Sequence, residues 1–292
     1  MMDSKLLAIV QLCATNDIEA NFRNCASLIH QAVVQGARFV SLPECFEYIG
    51  ATPKDALSIA QPLDGPLFSR YRELAVKEQV WLSLAGFHER GPDDAHIYNS
   101  QVVVDPRGSI VAVYRKLHLF DVDIQDGRIS ESETTLPGNE MVLVCDTPIG
   151  NVGLTTCYDI RFPELYTCLA ASGADVILVP SAFFPSTGEA HWEVLLRARA
   201  IENQVYIAAA AQVGKHNEKR TSFGHSMIVD PWGSIMGQLY TIENGCCVCH
   251  LDRQTIDQVR RAIPKWKHRR GDIYGEWNYH HVTLRRTTTS GG

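Results

Sequence analysis

Two stretches of the sequence, GARFVSLPE (residues 36–44) and GADVILVPS (residues 173–181), share one pattern: Gly-Ala, an apolar run, then proline and a polar residue. Two further pairs match in the same order, EQVWLSLAG (78–86) with NQVYIAAAA (203–211), and VDPRGSIVAVY (104–114) with VDPWGSIMGQLY (229–240). The Asp-Pro-x-Gly of the last pair is typical of a tight turn between antiparallel strands, because proline presets φ and glycine permits the exit of the turn. Three ordered matches indicate an internal duplication.

Each half of the chain reads as strand, helix, strand, helix, strand and hairpin, which is typical of α/β proteins. Two helices cannot cover both faces of one sheet, so we expect the halves to pack sheet on sheet with the helices outside. The predicted fold is a four-layer αββα sandwich with an internal pseudo-twofold. We expect a single domain over residues 1–280 and a disordered tail over residues 281–292, which end in TTTSGG.

One helix is predicted over residues 18–35, with Asn16 or Asp17 as its N-cap. Its apolar face is expected to comprise Ile18, Phe22, Cys25, Ile29, Ala32 and Val33.

The composition narrows the possible partners and the compartment. The 292 residues carry a formal net charge of −6, which gives no electrostatic reason to expect nucleic acid or a membrane surface as a partner but leaves an anionic substrate possible. No apolar stretch approaches the roughly 20 residues of a membrane span. The first strand-like run begins almost at Met1, so we expect no signal or transit peptide. Nine cysteines, odd in number and mostly inside apolar runs, favour a reducing compartment, and we expect a cytoplasmic protein.

Polar residues follow several strongly apolar runs, where loops of an α/β sheet usually carry the chemistry. Glu44 ends FVSLPE, Lys116 follows IVAVYR, Cys157 ends NVGLTTC and Ser181 follows VILVP. Glu131 lies in the polar stretch ISESETTLPG. Taken singly, each has an ordinary alternative: a solvated strand end, a surface lysine or a small buried thiol. Their combination favours function, because a charge beside an apolar strand is costly without a partner or a task.

The segments LPECFEY, YRKLHLFD and TTCYDIRFPEL resemble the three signature segments of the nitrilase superfamily, carbon–nitrogen hydrolases with a Glu-Lys-Cys triad. The resemblance runs from about residue 5 to 275 and implies the duplicated αββα fold. It implies the triad Glu44, Lys116 and Cys157, and it matches a second glutamate of many members to Glu131. Nitrilases proper commonly carry Trp-Glu after the nucleophile, whereas this chain has Tyr158-Asp159, so an amide is the expected substrate rather than a nitrile.

The resemblance also implies the role of each group. Cys157 would attack the amide carbonyl, and Glu44 would serve as general base, then acid, then base again. Lys116 and the Tyr158 backbone N–H would stabilise the oxyanion, while Glu131 would orient the base or the substrate amide.

Three further residues match substrate contacts of the amidase branch. Arg161 would bind a substrate carboxylate, although it could instead be a surface arginine or pair with a neighbouring acid, Asp159 or Glu164. Phe183 and Thr187 match an aromatic residue and a threonine of that branch, and Thr187 could equally cap the following helix.

Several other motifs have weaker functional interpretations. His118 is a possible base but is better explained as a residue filling polar space. CCVCH (246–250) is predicted to be a strand rather than a metal site, and no phosphate-binding loop is found, so we expect neither a metal nor a nucleotide cofactor. KHNEKRTS (215–222) could be a lid or a solvated loop, and its Lys215 or Lys219 could meet a second carboxylate. KWKHRRGD (265–272) could be an exposed face or meet a partner subunit.

Two other functional classes stay open at this point, a non-catalytic binding scaffold and a thiol acyltransferase. The family resemblance implies a homodimer or a larger homo-oligomer.

Overall fold

Two mixed β-sheets lie face to face at the centre of the protein. The structure is a computed structural model and describes residues 5–125, 127–275 and 281–287. Its strands are β1 (Leu6–Leu12), β2 (Phe39–Ser41), β3 (Trp81–Arg90), β4 (Ile97–Val104), β5 (Ile110–Arg115), β6 (Asp121–Ile124), β7 (Gly127–Ser130), β8 (Met141–Thr147), β9 (Gly150–Leu154), β10 (Val176–Leu178), β11 (Tyr206–Ala209), β12 (Ala211–Lys215), β13 (Thr221–Phe223), β14 (Met227–Val229), β15 (Ile235–Gln238), β16 (Gly245–His250) and β17 (Val282–Arg286).

Helices form the outer layers and the connections. They are α1 (Ile18–Val34), α2 (Pro53–Ile59), α3 (Pro66–Glu78), α4 (Pro163–Ala171), α5 (Pro185–Asn203), α6 (Arg253–Ala262), α7 (Lys265–His268) and α8 (Gly271–Tyr274). Two 3₁₀ turns span Glu131–Glu133 and Cys157–Arg161. Helix α1 begins where it was predicted, since the Asp17 carboxylate accepts from the Ala20 backbone N–H at 2.9 Å.

The strand order shows the duplication directly. The first sheet runs β13-β12-β1-β2-β3-β4-β5, with β16 also paired to β1, and the second runs β15-β14-β11-β10-β9-β8-β17. In the first sheet β1, β2 and β3 are parallel and lead into an antiparallel β4–β5 hairpin. In the second, β9, β10 and β11 are parallel and lead into the antiparallel β14–β15 hairpin.

The two predicted Asp-Pro-x-Gly turns have the same hydrogen bonds. The Asp105 carboxylate accepts from the backbone N–H groups two and four residues later, each at 2.9 Å, and Asp230 does the same at 2.9 and 2.8 Å. Gly108 and Gly233 have φ of 76° and 95°, a backbone conformation that side-chain-bearing residues rarely adopt. The turn chemistry of the repeat is therefore confirmed in both halves.

Three apolar cores hold the four layers together. Between the sheets, side chains from both halves interlock: Leu7, Ile9, Phe39, Val103, Tyr114, Val142, Val152, Leu178 and Ile228. Helices α1 and α3 pack on the outside of the first sheet through Cys25, Ile29, Phe68 and Tyr71. Helices α4 and α5 cover the second sheet through Leu165, Leu169, Trp192 and Leu196. Burial of one such side chain contributes about 1.5–3 kcal/mol. The αββα sandwich buries both faces of both sheets, one face against the other sheet and one against helices.

The carboxyl-terminal segment differs from the predicted disordered tail. Val282–Arg286 forms β17 and pairs in parallel with β8, so the prediction is wrong for these residues. Residues 288–292 of that predicted tail lie outside the described residues. Among the described residues, no helix is both long enough and apolar enough to cross a membrane.

Candidate active site

The predicted site residues from separate strand ends lie in one cluster. The Lys116 ammonium donates to Glu44 Oε1 at 3.1 Å and to Glu131 Oε2 at 2.8 Å. The Cys157 thiol is within hydrogen-bonding reach of the Glu44 carboxylate. Glu44, Lys116 and Cys157 are all buried, and the structure thus brings together four groups that lie up to 113 residues apart in the sequence.

Glu44 lies in the loop after β2, and both of its carboxylate oxygens accept hydrogen bonds from other segments. Oε1 accepts from Lys116 and from the Asn99 side-chain amide at 2.9 Å, and Oε2 accepts from the Ala182 backbone N–H at 3.0 Å. The Gln212 side chain donates to the Glu44 backbone oxygen at 3.0 Å. A carboxylate with this many donors is fixed in position before any substrate arrives.

A close approach of two backbone segments sets the position of this loop. Gly86 lies in the irregular part of β3, with φ of 70°. A Cβ atom at Gly86 would lie 2.2 Å from the Cys45 backbone nitrogen and 2.7 Å from Glu44 Cγ. Only glycine leaves room for the Glu44 side chain here.

Cys157 lies on a sharp turn between β9 and the 3₁₀ turn that it begins. Its φ is 49°, in the left-handed region, and its backbone N–H donates to the Pro180 carbonyl at 2.9 Å. A non-glycine residue in this region is uncommon and clusters at functional sites. Within the described part of the chain, the Tyr158 backbone N–H has no hydrogen-bond acceptor, so it is free to donate beside the thiol.

The carboxylate of Asp159 stabilises the turn that begins at Cys157. Its carboxylate is fully buried and accepts from the Tyr114 hydroxyl at 2.6 Å and from the Thr156 backbone N–H at 2.8 Å. It also contacts His118 Nδ1 at 2.7 Å, and the His118 ring stacks on Phe162 with centroids 3.6 Å apart. His118 therefore supports the turn through Asp159, in agreement with its predicted structural role.

The charges around Cys157 keep the resting thiol protonated. Burial and the negative charge of Glu44 raise the pKa of Cys157 well above its usual value. Burial by itself would raise the pKa of Glu44, but the Lys116 ammonium and the hydrogen bonds from Cys157 and Asn99 outweigh it and lower that pKa. Burial would lower the pKa of Lys116, but the charges of Glu131 and Glu44 outweigh it and raise that pKa. The site thus holds an ionised carboxylate next to a neutral thiol, with an ammonium beside both.

A cavity of about 610 Å³ opens over the thiol, a volume within the usual range for small-molecule sites. It is lined by the four clustered residues and by the four predicted substrate contacts, Tyr158, Arg161, Phe183 and Thr187. All eight predicted site residues therefore face the same space.

The neighbours of Arg161 show whether it forms an ion pair within the protein. Its guanidinium lies 5.9 Å from the ring centroid of Tyr158 and 5.7 Å from that of Phe183, and it contacts His191 Nδ1 at 3.3 Å. No carboxylate of the described residues pairs with Arg161, so the predicted alternative ion pairs with Asp159 or Glu164 are not formed.

Thr187 does not cap the helix that follows it. Helix α5 already begins at Pro185, with Phe184 as its N-cap, and the Thr187 hydroxyl donates to the Phe184 carbonyl at 3.3 Å. The capping alternative is wrong, because Thr187 lies inside the first helical turn.

Two residues of the site were not predicted from the sequence. Asn99 on β4 donates to Glu44 at 2.9 Å and to Glu131 at 3.1 Å, which links the two carboxylates. Arg220 lines the cavity with its guanidinium 3.6 Å from the ring centroid of Phe184. Both side chains come from elements that the sequence pattern gave no reason to connect with the strand ends.

The remaining motifs have simple structural outcomes. CCVCH forms most of β16, as predicted, and the described residues contain no group of three or more His, Cys, Asp or Glu that could hold a metal ion. All nine cysteines are free thiols. Lys215 pairs with Glu218 at 2.9 Å, away from the cavity, whereas Lys219 lines it. Residues 265–272 form α7 and the start of α8.

Comparison with known proteins agrees with the fold. The family model described as carbon-nitrogen hydrolase matches residues 6–261. A human protein named deaminated glutathione amidase is 47% identical over 274 residues, which cover 92% of this chain and 84% of the relative.

Two of the crystal structures similar to this chain show the same fold. The Caenorhabditis elegans NitFhit protein has a TM-score of 0.87 and 45% identity, and the match covers 92% of this chain and 66% of that larger protein. Saccharomyces cerevisiae Nit3, described as a member of branch 10 of the nitrilase superfamily, has a TM-score of 0.81 and 32% identity, with 91% of this chain and 96% of that one covered. With its duplicated sandwich and its buried Glu, Lys and Cys side chains, this chain belongs to the carbon-nitrogen hydrolase family of the nitrilase superfamily and is a hydrolase of carbon–nitrogen bonds.

Proposed function

We propose that the protein hydrolyses the γ-amide bond of deaminated glutathione and releases 2-oxoglutarate and cysteinylglycine, a repair of a damaged metabolite. The observation that carries this proposal is the buried Cys157 thiol beside an ionised Glu44, at the base of a cavity that also exposes arginine side chains. The name of the human relative and its 47% identity support the substrate. So do the segments AHWEVLLRARAIE and HNEKRTSFGHSMIVDPWG, which resemble those of deaminated glutathione amidases.

The first half of the proposed reaction forms a thioester. Glu44 takes the thiol proton as the Cys157 sulfur attacks the γ-amide carbon. The raised pKa of the thiol does not prevent the attack, because the proton leaves only as the new bond forms. The carbonyl oxygen becomes an oxyanion, which Lys116 and the free Tyr158 backbone N–H stabilise. Glu44 then gives its proton to the amide nitrogen, the carbon–nitrogen bond breaks, and cysteinylglycine leaves as an amine.

The second half returns the enzyme to its starting state. Glu44 takes a proton from water, the resulting hydroxide attacks the thioester carbon, and a second oxyanion forms at the same donors. Its collapse breaks the carbon–sulfur bond, releases 2-oxoglutarate and leaves the sulfur to regain the proton from Glu44. Glu131 keeps Lys116 in place throughout, since its carboxylate accepts from the ammonium at 2.8 Å.

The acyl side of the substrate fits the cavity beside the turn of Cys157. We propose that Arg161 binds the carboxylate of the 2-oxo acid, because a guanidinium presents paired donors to a carboxylate and Arg161 has none of the described carboxylates as a partner. Phe183 would pack on the acyl chain, and the Thr187 hydroxyl would contact the 2-oxo acid end.

The test is release of 2-oxoglutarate from deaminated glutathione and, in parallel, from 2-oxoglutaramate. We expect a clear preference for deaminated glutathione, complete loss of release in Cys157→Ala, and near wild-type activity in the matched control Cys168→Ala, a buried thiol on α4. Preference for 2-oxoglutaramate would make the protein an ω-amidase with the same catalytic groups. Activity that survives in Cys157→Ala would refute the proposed nucleophile, and no release from either amide would favour a binding scaffold.

We further propose that the protein acts in the cytoplasm as a homodimer or a larger homo-oligomer. The nine free cysteines support a reducing compartment, and the family resemblance supports self-association. Sedimentation equilibrium at micromolar concentration tests the second point, and a monomeric mass would refute it.

A further inference from the structure

One wall of the cavity comes from the β12–β13 hairpin, whose turn spans residues 216–220. Two hydrogen bonds fix the hairpin to segments on both sides of the cavity. The Asn217 side chain donates to the Gly50 carbonyl at 3.1 Å, and the Phe223 backbone N–H donates to the Phe183 carbonyl at 2.9 Å. The hairpin is therefore a fixed part of the site rather than a solvated loop, and it carries Arg220 into the cavity.

The Arg220 guanidinium is held in place by the protein but forms no ion pair with a described carboxylate. It stacks over Phe184, and Nη2 donates to the Ala182 carbonyl. No carboxylate among the described residues pairs with it. Nε and Nη1 donate to no described atom and are not fully buried, so they can still donate into the cavity. Burial lowers the pKa of Arg220, which means that its charge lacks part of its water shell.

A partly buried guanidinium with free donors facing a cavity is costly unless an anion comes to it. Its planar fork fits a carboxylate with two parallel hydrogen bonds. Arg161, the other arginine near Cys157, contacts different rings, those of Tyr158 and Phe183, whereas Arg220 contacts Phe184. Among the cations that line the cavity, Arg161 and Arg220 thus occupy separate positions, and the proposed substrate carries two carboxylates, one on each side of the scissile amide.

We propose that Arg220 binds the carboxylate of the leaving group, the carboxyl-terminal glycine of the cysteinylglycine part, and so selects amides whose amine portion ends in an acid. This inference rests on the proposed function and assigns a substrate contact that the catalytic steps do not need. It separates deaminated glutathione from 2-oxoglutaramate, since the latter has ammonia as its leaving group and offers Arg220 nothing.

A purely positioning role is the competing explanation, because Arg220 bonds to Ala182, whose N–H holds Glu44. The two roles predict different kinetics. A positioning residue would affect the turnover of every amide, whereas a carboxylate-binding residue would affect only substrates with the terminal acid.

The experiment compares deaminated glutathione with its glycinamide analogue, in which the terminal carboxylate is a neutral amide. Wild type is expected to lose about 10- to 100-fold in kcat/KM on going from the acid to the amide, the range for a charge-assisted hydrogen-bonded pair. Arg220→Met should lose about the same factor on the acid and change by less than about threefold on the amide. Lys215→Met, in the same hairpin but paired with Glu218 outside the cavity, is the matched control and should behave as wild type on both.

Arg220→Lys keeps a positive charge and serves as a second variant if Arg220→Met does not fold. It should recover part of the preference for the acid, since a point charge replaces the fork. A second measurement uses Cys157→Ala, which cannot turn over: calorimetric Kd values for the acid and the amide should differ in this variant and become equal when Arg220→Met is added.

Equal losses on acid and amide in Arg220→Met would overturn the inference and assign Arg220 to positioning. Wild type that releases 2-oxoglutarate from the acid and the amide equally well would also overturn it while leaving the proposed function intact. Wild type that releases none from either would instead refute the proposed function.

Discussion

Replacing Gly86 by alanine tests how strictly catalysis depends on the position of Glu44. The new Cβ would lie 2.2 Å from the Cys45 nitrogen, whereas real Cβ contacts essentially never fall below 3.0 Å, so the two segments must part by roughly 0.8 Å. The displaced loop carries Glu44, whose carboxylate now lies 2.9–3.1 Å from three donors. A misplacement of about 1 Å can cost about 100-fold in rate, so we expect kcat to fall by about that factor.

The substitution also strains the backbone, and a control must separate this effect from the displacement. Alanine at φ of 70° costs about 1–2 kcal/mol of stability. Gly275 also has a positive φ, 80°, and a Cβ added there would meet no described atom within 4 Å, so Gly275→Ala strains the backbone without pushing on the site.

The assay is 2-oxoglutarate release at saturating deaminated glutathione, with urea denaturation to measure stability. Gly86→Ala is expected to lose activity and stability, and Gly275→Ala to lose stability alone. The reasoning fails if folded Gly86→Ala keeps a kcat within about threefold of Gly275→Ala, because Glu44 would then tolerate the displacement.

Three other outcomes are expected. Asn99→Leu should lower kcat by about 10- to 100-fold without unfolding the protein, because Glu44 and Glu131 lose a shared donor; unchanged kinetics would show that their remaining donors orient both carboxylates. Asp159→Ala should lower the free energy of unfolding by about 3 kcal/mol in urea titrations, since it strands a buried hydroxyl and a backbone N–H, and a loss below about 1 kcal/mol would contradict this. Because the pKa of Glu44 is lowered, the base stays ionised as the pH falls, and kcat/KM should decline only below the usual glutamate value of 4.5; a decline centred near pH 6 or 7 would contradict this assignment.

The strand-end residues could be predicted from the sequence because each is a polar or reactive residue directly after an apolar run. Glu44, Lys116 and Cys157 each follow an apolar run in which a reactive or charged group stands out, and the sheets then bring those run ends to one place. The duplicated fold could be predicted for a related reason, since turn residues and apolar runs repeat in order. Both kinds of pattern can be recognised from residues that are adjacent in the sequence.

Asn99 and Arg220 could not be predicted in this way. Asn99 lies within IYNSQVVV, where its polar side chain reads as the solvent-facing partner of an alternating strand, and Arg220 lies in a charged stretch that reads as a solvated turn. Their roles depend on contacts with Glu44 and Phe184, residues 55 and 36 positions away. The strand Val282–Arg286 was missed for the same reason, because a short polar segment is ordered only by the distant β8.

The place of β1 in the first sheet bears on how the chain is made. This strand lies in the middle of the sheet, and its residues from Leu6 to Gln11 pair with β16, from His250 back to Gly245. At translation rates of about 5–20 residues per second, the partner leaves the ribosome roughly 12–50 seconds after β1 does. Until then an apolar strand has an open edge, which is a template for unwanted pairing. The first sheet therefore cannot be completed along this edge before residue 250 has been made, although the residues of the cavity have all been made by then.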